Sequence, residues 1–524
     1  MKHLGWTPLF FLLLTSRLAI PTSTASEKPA TPLEASNYTA LTSHAAMIEY
    51  LDRLDRISNL VHIERIGPSV EGRPISALFF SKDKNFGSHR GRKPVVMIFC
   101  QQHGDEPSGK EAAIVIAGRL VQSERRLLKK MDLILIPQVN PDGAERDRRR
   151  NANDRDLNRN HVIFSEPEAF AIHTLFLDWM PEVTLDVHEY NAISERWVDA
   201  GFIKDADEML GGVTNLNIDD RIIDFTRRIF IPETGAGIEA DGYSFHRYIV
   251  GSPFDDGRLR FSTTSINDGR QSLGIYNTLS FILEGKRYGD TVNLIERRTR
   301  GQVSAILNFL RTVDRHAEDI FALVGDARKR LANAAVNNDA VALQMDYFAD
   351  STRPALSFPV FDLKTWRHAT REFDCFEPEV RVKLSVPLPE AYCIPSDNDK
   401  LIDLLKKHRM PFHRMSTDQE TMVGTYTIHH VTPSVEEDYP SLMVDARLQI
   451  HKETLPAGQL ILKLNHSAAL LAALLLEPQS SVGFLSERGG RHLQIKEYLR
   501  PGLQYPIKRL PSLDGLMLEP VEHF

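Results

Sequence analysis

Cysteine is scarce in this sequence of 524 residues, which contains only Cys100, Cys375 and Cys393. So few cysteines exclude a disulfide-dense scaffold, and none of them has the spacing of a structural zinc site. Cys100 lies in an apolar run and is predicted to be a small buried hydrophobe. Cys375 and Cys393 can form one disulfide in an oxidising compartment, although a sequence does not define the distance between them.

Net positive charge and long apolar runs are missing as well. The formal net charge of -7 provides no global basic field for nucleic acid. Beyond the N-terminus, no apolar run is long enough to cross a bilayer, and SAALLAALLLEP is short and ends at Pro478. The hydrophobic content of 42% and the charged content of 25% are ordinary for a globular protein.

The N-terminal segment has the layout of a Sec signal peptide. Lys2 and His3 precede a short apolar run, and the small residues TSTAS follow it, with cleavage predicted after Ala25. We therefore expect a signal peptide over residues 1–25, a mobile linker over 26–37 and a secreted or periplasmic protein without an integral membrane segment. An uncleaved anchor is the alternative.

Two domains are predicted after the linker. Over residues 38–323, continuous apolar strands such as VVMIFCQ and LSFILEG alternate with helical segments such as SGKEAAIVIAGRLVQSE. This order predicts an α/β domain with helices around a mixed, mostly parallel sheet. Over residues 324–524, alternating segments such as EVRVKLSVPLP and TMVGTYTIHHV predict a smaller β-rich α+β accessory domain.

The segment FCQQHGDEPSG predicts part of a metal site. It places His103 and Glu106 just after an apolar strand, and His188 ends the later strand VTLDV. Parallel strands end at one edge of a sheet, where an imidazole, a carboxylate and a second imidazole can hold Zn²⁺ with one position open. Glu189 and Asp186 are the alternative third ligands. Strand alternation points Asp186 and His188 to one face and Glu189 to the other.

Glu284 ends the apolar strand LSFILE, where a buried carboxylate is costly unless it is paired or functional. The structural interpretation is a salt bridge to Lys286 or Arg287. The functional interpretation is a general base that deprotonates a zinc-activated water and later protonates the leaving amine.

The loop NPDGAERDRRRNANDRDLNRNH carries candidate substrate-binding residues. Its interleaved aspartates and its lack of aromatics argue against a nucleic-acid patch. Arg159 has the planar guanidinium that suits a substrate carboxylate, and Asn158 adds an amide donor. Arg149 can polarise a scissile carbonyl or stabilise its oxyanion. Asp156, or Asp186, can hold the second nitrogen of a metal-binding histidine.

The motifs HGDE, NPDG, RRNANDRDLNRN, DVHE and ILEG, in this order, resemble the zinc metallocarboxypeptidase family of the pancreatic carboxypeptidases. The resemblance covers roughly residues 40–320, and the C-terminal part is similar to the accessory domain of large bacterial secreted members. It implies a mixed eight-stranded sheet with helices on both faces. It also implies one Zn²⁺ per chain, held by His103, Glu106 and His188.

The same resemblance implies roles for several other residues. Glu284 matches the catalytic carboxylate, Arg149 the oxyanion arginine, Asn158 and Arg159 the pair that binds the terminal carboxylate, and Asp156 the carboxylate that orients a zinc histidine. Two positions have no clear counterpart. Tyr276 and the more distant Tyr243 are the candidates for the mobile tyrosine, and Asp268 and Arg270 lie in the region of the residue that selects the terminal side chain.

These patterns predict a secreted zinc carboxypeptidase that removes the C-terminal residue from peptides with a free C-terminus. The first alternative keeps the metal chemistry and makes the protein a zinc amidase acting on peptidoglycan stem peptides or N-acyl amino acids. The second alternative is an inactive binding protein whose accessory domain docks a partner. No nucleic-acid partner is expected.

Overall fold

The structure is a computed structural model that describes residues 30–87, 91–253, 257–334, 339–436, 439–483 and 500–521. The predicted signal peptide and the first residues of the predicted linker lie outside these ranges. Within them, none of the helices has both the length and the apolar character that crossing a membrane requires.

Helices and strands alternate in the first part of the chain, and strands dominate the second. The α-helices in chain order are α1 Pro32–Ala35, α2 His44–Ile57, α3 Ser108–Leu120, α4 Pro141–Ala144, α5 Pro167–Trp179, α6 Glu195–Asp199, α7 Asp220–Phe225, α8 Ile231–Ala240, α9 Gly269–Gly274, α10 Ile295–Arg315, α11 Ala317–Leu331, α12 Asp399–Lys407 and α13 Ala469–Leu476. The strands are β1 Val61–Pro68, β2 Pro74–Phe80, β3 Val95–Cys100, β4 Asp132–Ile136, β5 Val183–Asn191, β6 Phe202–Lys204, β7 Glu208–Gly212, β8 Phe245–Arg247, β9 Leu279–Arg287, β10 Ala340–Phe348, β11 Leu356–Asp362, β12 Arg367–Phe373, β13 Glu379–Pro387, β14 Ala391–Ile394, β15 Phe412–Met415, β16 Gln419–Glu436, β17 Tyr439–Leu455, β18 Leu460–Lys463, β19 Lys508–Leu510 and β20 Leu518–Pro520.

The first part is built on an eight-stranded sheet in the order β1-β2-β4-β3-β5-β9-β7-β8. Strands β4, β3, β5 and β9 run parallel to one another, as do β7 and β8, while the remaining pairs are antiparallel. Every residue of β3 and β4 is buried, which explains why these strands are apolar without alternation. The predicted mixed, mostly parallel sheet is confirmed.

Helices cover both faces of this sheet. Arg298 of α10 binds Glu189 of β5 on one face, where α3 also packs against α10. Gly269 of α9 lies against Asp186 of β5 on the other face. Since Asp186 and Glu189 point to opposite sides of the strand, the sheet is enclosed between the two layers of helices.

The register of the central strands brings the candidate residues to one edge. In the parallel pair β5 and β9, His188 lies opposite Glu284, and Cys100 at the end of β3 lies opposite Val187. Opposed residues in neighbouring strands point to the same face. His188 and Glu284 are therefore neighbours at the carboxyl edge of the sheet, and the loop that follows β3 begins beside them.

The second part of the chain is rich in strands, as predicted. It contains a seven-stranded sheet in the order β17-β16-β19-β14-β18-β15-β20, a two-stranded sheet of β10 and β13, and the sheet β12-β11-β6. The last sheet joins the two parts, because β6 belongs to the first. Helix α11 runs through the boundary predicted at residue 323, and residues 32–35 of the predicted linker form α1, with Leu33 buried.

No disulfide joins Cys375 and Cys393, a pairing that the sequence left open, and both side chains are free thiols. Cys393 is buried in β14 within the apolar cluster of the seven-stranded sheet. Cys375 packs on a different cluster, around Trp197 and Phe358. The two cysteines lie in separate cores, and this separation explains why they are not paired. Cys100 is fully buried in β3, as predicted.

Candidate metal centre and substrate cavity

His103, Glu106 and His188 converge on one point at the edge of the sheet. All three are buried, and one ligand atom from each lies within 4.8 Å of the others. The two Nδ1 atoms of His103 and His188 are 3.1 Å apart, and each lies 2.9 Å from a carboxylate oxygen of Glu106. Ligand atoms around one tetrahedral Zn²⁺ would be separated by about 3.3 Å, so this donor set fits the ion.

The orientation of both imidazole rings is fixed by carboxylates on their far side. Nε2 of His103 lies 3.1 Å from Oδ1 of Asp156, and Nε2 of His188 lies 2.8 Å from Oδ1 of Asp186. Gln102 in turn donates to both oxygens of Asp186. With the proton held on Nε2, each Nδ1 keeps its lone pair for a metal. Both carboxylates that the sequence suggested for this role are therefore in position.

Charge also favours protons at this point when no cation is bound. Burial opposes protonation of His188, but Asp186 and Glu106 raise its pKa well above the ordinary histidine value. Burial of Asp156 is likewise outweighed by His103 and the neighbouring arginines, which lower the pKa of that carboxyl. A cation and protons therefore compete for the same lone pairs.

Glu284 lies beside this group, and neither of the nearby basic residues in the sequence forms an ion pair with it. Lys286 binds Asp205 and Asp207, and Arg287 binds Asp105, so the alternative salt bridges of Glu284 are not formed. The residue is 8% exposed. Burial, with a smaller contribution from Glu106, raises the pKa of Glu284 to about 7, although His188 opposes the shift. A carboxyl with such a pKa can accept and return a proton near neutrality.

Glu189 is engaged on the opposite face of β5. Its two oxygens accept from Nε and Nη2 of Arg298 at 2.8 and 2.9 Å, and one of them also accepts from the backbone N–H of Ser108 at 3.0 Å. This bidentate pair fixes the start of α3 relative to α10. Glu189 therefore serves the packing of helices, and the structure separates it from the role available to Glu284.

Arg149 lies against the ligand group. Its Nη1 atom is 3.1 Å from Nδ1 of His103 and 3.3 Å from Oε1 of Glu106, and its Nη2 atom is 3.1 Å from Oδ2 of Asp156. The side chain is 45% exposed, so its guanidinium borders both the buried carboxylates and open solvent. A cation in this place can face the oxygen of a substrate carbonyl.

Asn158 and Arg159 form a short 3₁₀ turn that Asp156 caps. The amide nitrogen of Asn158 lies 3.2 Å from Nε2 of His188, and its Oδ1 accepts from the N–H of Gly269 at 2.8 Å. Arg159 donates from Nη1 to the carbonyl of Asn158 at 2.7 Å. The bond to Gly269 ties the turn to the start of α9, and Asn158 lies beside His188 of the ligand group.

One cavity of about 590 Å³ brings most of the predicted residues together. The residues from the sequence predictions that line it are His103, Glu106, Arg149, Asn158, Arg159, Glu189, Asp268, Arg270, Glu284 and Arg287. The cavity continues past Tyr248, Arg258 and Arg260, which no sequence motif indicated. Residues from the β3 loop, the 3₁₀ turn, α9 and β9 thus share one space, as expected at the carboxyl edge of a parallel sheet.

The prediction of Tyr276 as a substrate-binding residue is wrong. Its side chain is fully buried and packs on Phe176, with ring centroids 5.3 Å apart. Tyr276 precedes the start of β9, and the strand runs about 16 Å from its first residue, Leu279, to Glu284. Although Tyr276 is close to Glu284 in the sequence, it therefore lies towards the opposite edge of the sheet. Tyr243, the other candidate, lines a separate cavity beside Asp207 and Arg297.

Tyr248, like Tyr190, lines the cavity. It follows β8, and its backbone N–H donates to the carbonyl of Leu210 in β7 at 3.0 Å. Burial raises the pKa of its phenol above the ordinary value, so the hydroxyl stays protonated and can donate. Tyr248 lies 36 positions before Glu284 in the sequence, with an irregular segment between them, so spacing offered no signal for this residue.

Comparisons with known proteins agree with this site. The family model for zinc carboxypeptidases matches residues 47–194, which include His103, Glu106 and His188. Carboxypeptidase 2 of Trichophyton rubrum is 26% identical over 478 residues, covering 90% of this chain and 86% of that protein. Carboxypeptidase 2 of Trichophyton tonsurans is 26% identical over 432 residues, covering 80% of this chain and 78% of that protein.

A solved metallocarboxypeptidase from Burkholderia cenocepacia aligns with a TM-score of 0.41 at 19% identity, over 53% of this chain and 71% of that one. The likeness of the C-terminal part to large bacterial secreted members stays a prediction, because the two relatives that cover 80% and 90% of the chain are fungal. Together with the family match, these relatives support a hydrolase of the metallocarboxypeptidase type.

Proposed function

We propose that this protein is a zinc-dependent exopeptidase that hydrolyses the C-terminal peptide bond of peptides with a free terminal carboxylate. The observation that carries the proposal is the common cavity of three groups. His103 and Glu106 of the ligand set for zinc, the buried carboxyl of Glu284 and the arginine of the 3₁₀ turn border the same space. Metal-assisted hydrolysis at a chain end uses all three.

His103, Glu106 and His188 would hold the ion, and the carboxylates behind the two histidines keep their Nδ1 atoms directed at it. When bound, zinc supplies a Lewis acid that makes water more acidic and polarises a carbonyl. Three protein ligands leave a coordination position open for this purpose.

Glu284 would act as the general base. It takes a proton from the attacking water and returns it to the nitrogen of the departing amino acid. Burial raises the pKa of Glu284 to about 7 without a cation, and a bound cation would lower it, so the carboxyl is ionised and able to accept a proton at neutral pH. Arg149, beside the ligand group, would stabilise the negative charge that develops on the carbonyl oxygen.

Arg159 would bind the terminal carboxylate of the substrate, with Asn158 and the phenol of Tyr248 as further donors. A carboxylate held by a guanidinium gains charge-assisted hydrogen bonds that an internal peptide group cannot form. Because all three residues line the cavity of Glu284, a carboxylate bound there leaves the last peptide bond near the base. This binding would make the enzyme an exopeptidase.

The natural substrates would be peptides outside the cytoplasm. The N-terminal segment, with its basic start and short apolar run, supports export of the protein, and no excess of positive charge supports a nucleic-acid partner. One zinc ion per chain follows from the single ligand group of this kind among the described residues.

The test is digestion of a mixed peptide library with the zinc-loaded protein, read by mass spectrometry. The proposal predicts ladders in which each peptide loses one residue at a time from its C-terminus. Release of acyl groups from N-acyl amino acids, or cleavage restricted to wall peptides, would favour the amidase alternative. Binding of peptides without any cleavage would favour an inactive binding protein.

A further inference from the structure

Arg270 lies directly beside the residues that would hold a terminal carboxylate. It is the second residue of α9, and the N–H of Gly269 just before it donates to Oδ1 of Asn158 at 2.8 Å. Arg270 also lines the cavity shared by Arg159 and Glu284. A substrate whose terminal carboxylate is bound at Arg159 would therefore extend its last side chain into the part of the cavity that Arg270 borders.

The guanidinium of Arg270 is buried with only part of its hydrogen-bonding capacity used. The residue is 1% exposed, and its Nη2 donates to Oδ2 of Asp268 at 2.9 Å and to the hydroxyl of Ser262. Its Nε and Nη1 atoms have no hydrogen-bond partner among the described residues. Guanidinium nitrogens are donors only, so these positions are satisfied only by an acceptor brought from outside.

Tyr248 and Gly211 border this guanidinium. Its Cζ atom lies 5.6 Å from the ring centroid of Tyr248. A Cβ atom added at Gly211 would come within 2.8 Å of Tyr248 Cβ and 3.2 Å of Nη1 of Arg270. The glycine in β7 thus permits the arginine and the tyrosine to lie against the strand, where a larger residue would displace them.

Asp268 does not offer a competing site for a basic side chain. Its Oδ1 accepts from the N–H of Gln271 at 2.6 Å as the cap of α9, and its Oδ2 accepts from Arg270. Arg260 adds positive charge to the same cavity wall, while the neighbouring Arg258 is paired with Asp346 and Glu377. A lysine or arginine side chain would meet donors and like charge here, and an apolar side chain would leave the donors of Arg270 unsatisfied.

We propose that Arg270 selects the C-terminal residue of the substrate, and that residues with an acidic side chain, glutamate or aspartate, are preferred. The side-chain carboxylate accepts from Nε and Nη1 of Arg270 while the terminal carboxylate is bound at Arg159. This inference rests on the proposed exopeptidase function and adds its substrate class.

The experiment compares four peptides that differ only in their last residue, which is Glu, Gln, Phe or Lys. The zinc-loaded protein should release Glu with a kcat/KM at least about 10-fold above that for Gln, because a charge-assisted pair replaces a neutral one. Phe and Lys should be poorer still. In Arg270→Met the preference for Glu over Gln should disappear. The matched control is Arg297→Met, which borders the separate cavity and should keep the wild-type order.

Arg270→Met leaves Asp268 as a buried carboxylate without its cation, which can unfold the protein. The double variant Asp268→Asn/Arg270→Met removes both charges and keeps an amide oxygen that can cap α9. A wild-type preference for Phe or Lys, or an unchanged preference for Glu in a folded variant, would overturn the assignment while leaving the exopeptidase function intact. No release from any of the peptides would overturn both.

Discussion

The two ring nitrogens of His188 face different partners, with Asp186 at Nε2 and the candidate metal position at Nδ1. Replacing His188 by Ala removes one of three protein ligands and leaves Glu106 with only one histidine beside it. We expect the variant to lose most of its bound zinc, measured as metal per chain after dialysis, against about one ion for the wild type. The exposed His429 offers the control, since His429→Ala should retain the metal. Full zinc and full activity in His188→Ala would refute the ligand assignment.

Glu284 and Glu189 are neighbours in space with different partners, and substitution should separate their roles. Glu284→Gln keeps the shape of the side chain and removes the proton acceptor, so turnover should fall by at least roughly 10²-fold with zinc retained. Glu189→Gln breaks the bidentate pair with Arg298, and its main effect should be a lower melting temperature. If Glu189→Gln abolished turnover and Glu284→Gln did not, the two roles would be reversed.

The pH dependence of wild-type activity follows from the same residue. Only ionised Glu284 can accept a proton, so kcat/KM should rise with pH on its acid side. Burial raises the pKa of Glu284 to about 7, and a bound cation nearby would lower it again. We therefore expect an acid limb with a midpoint at or below about pH 7 in a profile of the zinc-loaded enzyme. Activity that declined steadily with rising pH from pH 5 would contradict a carboxylate base.

Helix α12 of the second part is joined to the first part through a buried histidine. Nε2 of His408 lies 2.8 Å from the carbonyl of Val162, and its ring packs on Phe164 at 4.4 Å between centroids. Burial lowers the pKa of His408 to about 4. The unfolded chain, with an ordinary pKa near 6.5, takes up a proton that the folded protein refuses, so stability is complete above about pH 6.5 and falls as pH decreases towards 4.

We expect the titration of this histidine alone to lower the free energy of unfolding by about 2 kcal/mol as the pH falls from 7 to 5. His408→Gln keeps a donor for Val162 but does not titrate, so its loss of stability over that interval should be smaller by a similar amount. Urea unfolding of the metal-free proteins at both pH values measures the difference. His429→Gln, on an exposed strand position, should behave as the wild type. Identical losses in His408→Gln and wild type would exclude the contribution.

Sequence patterns predicted the elements around the site better than those around the cavity wall. Strands β3, β5 and β9 are apolar runs with ionisable residues at or just after their ends. The sequence therefore predicted both the strands and the positions of His188 and Glu284 at the edge of the sheet. Helix α3 contains the charged residues Lys110 and Glu111, yet almost all of its residues are buried because α10 and α2 cover it. Tyr248 and Arg270 reach the cavity through an irregular segment, where spacing along the chain does not report distance in space.

At the scale of the whole molecule, side chains of the two predicted domains pack together in one apolar cluster and form ion pairs with each other. The rings of Phe358 and Phe373 pack on Trp197 of the first part, with centroids 5.7 and 5.4 Å away. Arg258 in the cavity wall binds Asp346 and Glu377 of the second part. The predicted boundary was placed where continuous apolar runs give way to alternating polar and apolar residues. That change indicates strand content, but it does not indicate which surfaces are buried together.

We therefore expect a chain shortened after residue 334 to fail to form the catalytic part on its own. Removing the later residues would expose Trp197, which is 1% exposed in the full chain, and would release Arg258 from both of its acidic partners. Soluble yield and thermal unfolding, compared with the full chain, measure the effect. A soluble short form with full zinc and wild-type melting temperature would show that the second part is dispensable for folding.

The central claim is that the protein acts at a free C-terminus held by Arg159. The most direct measurement compares one peptide as its free acid and as its C-terminal amide, using the zinc-loaded wild type and Arg159→Ala. A charge-assisted contact contributes about 1.5–3 kcal/mol, so the substitution should lower kcat/KM for the acid by roughly 10- to 200-fold. The amide should be a poor substrate for the wild type and little affected by the substitution. Equal cleavage of acid and amide by the wild type would contradict the claim.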